Sequence, residues 1–136
     1  NDTASNSVTL AGTDSTTLTL PPVTSSLGYI NIPLVGGAAK TANYTSVLAD
    51  QGQMVVMNGS SVTYTIDSNA NVAFPVGTVL TVVNINASSL SIAITTDTLT
   101  LANSTTTGTR TLAQNGFATA LKVATTSWII SGTGLT

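Results

Sequence analysis

The sequence predicts an all-β protein: a compact antiparallel β-sandwich or jelly-roll-like domain with an extended N-terminal arm. Three observations predict it. Apolar and polar residues alternate with period two along most segments, the pattern of half-buried strands. Short turn signals punctuate these runs at a spacing that suits a sandwich or small barrel. β-Branched residues dominate, and they favour pleated surfaces over helices. No segment reads as a convincing amphipathic helix.

Residues 1–43 are expected to form the arm. "SVTLAG" and "STTLTLPPV" read as short strands, but Pro21, Pro22 and Pro33, with Gly36 and Gly37, break the pattern. Proline is unwelcome inside a central strand. Residues 44–136 are expected to form the compact domain. There Val62, Tyr64 and Ile66 share one face, with Thr63 and Thr65 on the other. Leu90, Ile92 and Ile94 repeat the pattern against Ser91 and Ala93. Leu99 and Leu101 do so on a shorter run. Phe117, Thr119, Leu121 and Val123 alternate with Ala118, Ala120 and Lys122, which predicts Phe117 in the core and Lys122 in solvent. Trp128 and Ile130 oppose Ile129 near the end. Turns are expected at Asp50-Gln51-Gly52, Asn58-Gly59, Phe74-Pro75-Val76-Gly77 and Asn115-Gly116. Asn-Gly is a strong turn signal because both residues tolerate positive φ.

Composition narrows the chemistry. The 136 residues include 42% hydrophobic and only 6% charged residues, against roughly 25% charged in an average domain. The charges are Lys40, Arg110 and Lys122 against Asp2, Asp14, Asp50, Asp67 and Asp97, for a net charge of −2. Such a chain offers no basic cluster to a phosphate backbone, so nucleic acid is not an expected partner. There is no His and no Cys. Their absence removes imidazole acid–base work, Ser–His and Cys–His nucleophile pairs, and most zinc chemistry. No apolar run approaches the ~20 residues of a membrane helix.

The order of several segments is recognisable. "GYINIP" (28–33), "YTSVLADQGQMVVMN" (44–58), "FPVGTVLTVVN" (74–84), "IAITTDTLTLA" (92–102), "GTRTLAQNGFATALKV" (108–123) and "WIISGTGLT" (128–136) follow one another. This succession resembles a C-terminal β-domain of tailed-bacteriophage structural proteins, often fibre-like or head-decoration proteins of the virion surface. The shared motifs are turn and core motifs. None is a catalytic constellation.

The candidate sites are few. Asp67, Asn69 and Asn71 set oxygen side chains at alternate positions, as a calcium loop begins. Such a loop also needs a Gly next and a Glu further on. Here Val72 follows and the chain has no Glu, so a strand connection stabilised by its own Asx bonds is expected. Asp50 and Asp97 are read as turn residues, not as a paired catalytic site of the glycosidase kind. Arg110 is expected to pair with Asp97 or to bridge subunits. The aromatics Tyr64, Phe74, Phe117 and Trp128 are expected in the core, with Tyr29 and Tyr44 as the more exposed ones. No catalytic, cofactor-binding or metal-binding residue is assigned.

The expected function is therefore that of a non-enzymatic bacteriophage virion structural protein, exposed on capsid or tail as a decoration (cement) protein or short fibre. Its β-domain would form a homotrimer, and its arm would attach to a major capsid or tail protein. The virion surface is the expected location. The alternatives are a module that binds a host surface glycan, and an extracellular fibril subunit that donates a strand to its neighbour.

Overall fold

The computed structural model describes residues 32–136, and the readings made above for residues 1–31 lie outside them. The fold is all-β, with eight strands and no α-helix among the described residues. The strands are β1 (Tyr44–Thr45), β2 (Met54–Met57), β3 (Thr63–Ile66), β4 (Val79–Asn84), β5 (Leu90–Ile94), β6 (Thr98–Leu101), β7 (Arg110–Ala124) and β8 (Ser127–Leu135). Two single 3-10 turns occur at Val35–Gly37 and Leu48–Asp50.

The pairing is mixed, where alternation alone suggested an antiparallel arrangement. β2 runs parallel to β4, β3 to β5, β1 to β3 and β6 to β8. β7 is antiparallel to β4, β5 and β8. The parallel pairs have a simple origin. The chain runs through β2 and β3, crosses over residues 67–78, and then retraces the same course as β4 and β5. Met54 lies beside Thr81 and Thr63 beside Ser91. The connecting turns stack in the same way. Asn86 Nδ2 donates to the Asn58 carbonyl at 3.3 Å, and the Ser60 and Ser88 hydroxyls meet at 3.2 Å, each pair 28 residues apart.

That course is written twice in the sequence. "VVMNGSSVTYTI" (55–66) is followed by "VVNINASSLSIAI" (82–94). Val55-Val56 matches Val82-Val83, Ser60-Ser61 matches Ser88-Ser89, and Ile66 matches Ile94. Like residues stacked on like are the mark of solenoid coils, in which each unit buries its apolar face only against the next.

Residues 34–40, placed in the arm by the sequence reading, lie along β2. Leu34 bridges to Met54 and Lys40 to Met57, both in parallel, and Val35 is buried. The packed unit thus includes residues N-terminal to the expected boundary at residue 44.

β7 binds the sheet together. Its residues 117–121 pair with β4 and its residues 110–112 with β5, while β8 covers 117–122 from the other side. The expected turn at Asn115-Gly116 does not separate two strands. It is an irregularity within this 15-residue strand, with Asn115 at φ 59° and a register shift between Leu112 and Phe117. Such a bulge re-aims a strand without ending it.

The core contains Val55, Met57, Tyr64, Ile66, Phe74, Leu80, Val82, Leu90, Ile92, Leu99, Leu112, Trp128 and Ile130, with smaller residues between them. Full burial of each large apolar side chain contributes about 1.5–3 kcal/mol before ordering costs. The phase of β7 is opposite to the expected one. Ala118, Ala120 and Lys122 point inward, whereas Phe117, Leu121 and Val123 are exposed. Space decides this. Ala118 lies opposite Val82 on one side and Gly132 on the other. A Cβ added at Gly132 would collide with the Phe117 carbonyl and lie 2.6 Å from Ala118 Cα. No large side chain fits inward there.

Gly132→Ala is therefore expected to destabilise the domain by about 1–3 kcal/mol, since the atoms it meets are backbone and cannot rotate away. Urea denaturation followed by Trp128 fluorescence measures this, and an unchanged midpoint would contradict the close approach.

Candidate functional site

One group of buried polar side chains gathers beneath the crossover that follows β3. Lys122 is the centre. It was expected in solvent, but it is 1% exposed. Strand pairing explains why. Lys122 pairs with Trp128 across β7 and β8, and Trp128 with Leu99 across β8 and β6. The Lys122 backbone N–H donates to the Thr78 carbonyl at 2.9 Å. Thr78, Lys122, Trp128 and Leu99 thus form one inward-facing row, all of them buried.

The ammonium end of Lys122 meets one hydrogen-bond partner among the described residues. Its Nζ donates to Asn69 Oδ1 at 2.6 Å. The same Nζ lies 5.5 Å from the Trp128 ring centroid, within cation–π range. Phe74 packs edge-on against Trp128 at 5.6 Å. The Asn69 backbone N–H donates to Asp97 Oδ2 at 3.0 Å. Lys122, Asn69 and Asp97 therefore form a chain of contacts flanked by two aromatic rings. Trp128 Nε1 and Thr78 Oγ1 are buried without a hydrogen-bond partner.

The Asp67–Asn71 segment forms the roof of this cluster. Asp67 Oδ1 accepts from Ser68 N at 2.8 Å, Asn71 Nδ2 at 3.0 Å and Thr95 Oγ1 at 3.2 Å. The Asn71 amide and the Ser68 N–H hold the Asp67 carboxyl below its ordinary value. The backbone closes a turn through Val72 N to Ser68 O at 2.9 Å. These are the Asx bonds that the sequence reading favoured. One of the three alternating oxygen side chains, Asn69, turns instead to Lys122.

A second polar group lies at β1. Asp50 is 2% exposed. Its carboxylate accepts from Tyr44 Oη at 2.9 and 3.1 Å and from Val47 N at 2.9 Å. Burial, with the adjoining Asp50 hydrogen bond and charge, raises the Tyr44 phenol from 10.0 to about 12. Burial also raises Tyr64, which stacks on Tyr44 at 6.3 Å. Lys40 Nζ sits 5.1 Å from the Tyr44 ring centroid.

Asp50 and Asp97 share no hydrogen-bond partner: Asp50 accepts from Tyr44 and Val47, and Asp97 accepts from the Asn69 N–H of the crossover turn. Arg110 is buried, and its Nε donates to the Gly108 carbonyl at 3.0 Å. Its bond goes there and not to Asp97, which corrects the expected pairing. Tyr64, Phe74 and Trp128 are in the core and Tyr44 is half-buried. Phe117, expected in the core, is 51% exposed. Among the described residues no group of three or more Asp side chains converges as a metal site would require.

The sequence reading missed the Lys122–Asn69 contact altogether. The two residues are 53 positions apart, and a wrong phase for β7 sends Lys122 to the other face. The available signal was the internal repeat, because it stacks the Asp67–Asn69 turn onto the Thr95–Asp97 turn. No protein-family model, curated protein or solved structure matches this chain.

The Tyr44–Asp50 contact predicts a pH dependence. The unfolded chain releases the tyrosine proton near pH 10, while the folded chain holds it to about pH 12. Between these values the folded state binds more protons, so its stability falls as pH rises. Below pH 10 the contribution is fully present. Thermal melting from pH 8.5 to 11.5 is expected to show this decline, and Tyr44→Phe should flatten it in part, with Tyr64 supplying the remainder. An unchanged slope in Tyr44→Phe would remove Tyr44 from the account.

Proposed function

We propose that this chain is a non-enzymatic structural protein of a bacteriophage virion surface, on capsid or tail, and that its β-domain assembles as a homotrimer. The observation that carries the assembly reading is the outer face of β4, β7 and β8. Val79, Leu121 and Ile129 are adjacent across these three strands, and Val56, Val83 and Phe117 are adjacent across β2, β4 and β7. Phe117, Leu121, Val123 and Ile129 are each 40% or more exposed. Thr81, Thr119, Ser131 and Thr133 fill the positions between, and no charged side chain lies on these rows.

Contiguous exposed apolar area of this kind marks an interaction surface. A charged partner would find no counter-charge on it. A second copy of the same neutral face suits it, and a chain with 6% charged residues has little self-repulsion to overcome. The phage assignment rests on the segment order described above and on a surface built from hydroxyls and amides. Attachment to a capsid or tail protein is assigned to the N-terminal region. An enzyme is disfavoured by the missing residue types, since His, Cys and Glu are all absent.

Light scattering coupled to size-exclusion chromatography is expected to give a trimer. The double substitution Phe117→Lys with Leu121→Lys should yield monomers with an unchanged β-sheet circular dichroism spectrum. A wild-type monomer at tens of micromolar would overturn the assembly reading. Antibodies against the β-domain should label heads or tails of intact particles in electron micrographs, and unlabelled particles that contain the protein would overturn the surface location.

A further inference from the structure

We propose that Lys122 and Asn69 become joined by an intramolecular isopeptide bond, formed without any other enzyme once the domain has folded. The inference rests on the buried cluster alone and is independent of the virion reading.

The geometry brings the two reacting side chains into direct contact. Lys122 Nζ lies 2.6 Å from Asn69 Oδ1, and the electrophilic carbon Cγ is bonded to that oxygen. Attack needs only a small rotation of Nζ from the amide oxygen toward Cγ, and reacting groups held this close gain many orders of magnitude in effective concentration. The reaction uses the amine form of Lys122. Lys122 is 1% exposed and faces no carboxylate at hydrogen-bond distance among the described residues. Burying an ammonium without a paired carboxylate costs far more than burying an amine. Trp128 and Phe74 exclude water from one side of the pair. Asp97 accepts the Asn69 backbone N–H at 3.0 Å and so holds in place the turn that carries the amide. It is a positioning residue.

The step balances without an oxidant or co-reactant. The Lys122 Nζ lone pair attacks Asn69 Cγ and forms a new C–N bond. The bond from Cγ to Nδ2 then breaks. One proton moves from Nζ to Nδ2, and ammonia leaves. The product is a secondary amide, which carries no charge into the core and keeps a carbonyl acceptor and an N–H donor. It ties the crossover roof to β7, the strand that holds the sheet together, and closes the intervening chain as a disulfide would. In a chain with no cysteine this is the one covalent staple the described residues offer.

Intact-mass spectrometry of the purified, folded full chain tests this. The expected mass is lower than that of the sequence by one ammonia. After trypsin, the fragment spanning residues 41–110 should be joined to a fragment containing Lys122, with no cleavage after Lys122. Lys122→Met and Asn69→Ala should both restore the full mass and release separate fragments. Asp97→Ala should lower the cross-linked fraction, and Asp97→Asn, which keeps an acceptor for the Asn69 N–H, should restore most of it. A full-mass wild type with separate fragments would overturn the proposal. So would an ammonia loss that persists in Lys122→Met, because a cyclic imide at Asn58-Gly59 or Asn115-Gly116 then accounts for it.

Discussion

The structure depends on one strand having two usable edges over most of its length. β7 takes β4 and β5 end to end on one edge and β8 on the other. β2 and β3 join only through β4 and β5, and β6 only through β8. Backbone N–H and C=O groups removed from water must be paired, so a strand that pairs on both sides sets the position of everything attached to it. The bulge at Asn115 allows this length. It lets β7 pass from β5 to β4 while β8 shifts register on the other side, with no break in the strand.

The same strand separates two chemistries. Its inner side carries Ala118, Ala120 and Lys122, and its outer side Phe117, Leu121 and Val123. This inverts the usual disposition of size and polarity. The backbone of β8 comes so close at Gly132 that only small residues fit beside it. At the far end the long Lys122 side chain reaches Asn69 past the Trp128 ring. The large apolar residues are left outside, where a neighbouring subunit of the same chemistry would cover them. The buried cluster and the bare outer face are thus two results of one choice of phase.

Much of the architecture was legible in particular residues. Alternation at Val62–Ile66, Leu90–Ile94 and Trp128–Ile130 placed strands with their buried faces as found. Asp50-Gln51-Gly52 and Pro75-Val76-Gly77 marked real turns, with Gly52 and Gly77 at positive φ. The Asp67–Asn71 segment was legible as a self-bonded connection, because a carboxylate flanked by Asx and Ser residues finds donors in its own loop. Two features were not legible from pattern alone. Parallel pairing follows from the stacking of the 55–66 and 82–94 repeats, and period-two alternation is the same for either direction of pairing. The phase of β7 was misjudged because hydrophobicity alone favoured Phe117 inside. What excluded it was the backbone of a strand fifteen residues later.

By itself the sequence determined the all-β class, most strand and turn positions, and the absence of histidine, cysteine and glutamate chemistry. These are properties of local spacing and residue type, which act over a few residues. Only the tertiary structure decided which faces are buried on β7, that β2 and β3 run alongside β4 and β5, and that Lys122 meets Asn69 beneath a roof held by Asp67 and Asp97. Each of these depends on the space left by segments distant in the chain, and packing density in a folded interior leaves no freedom to ignore it.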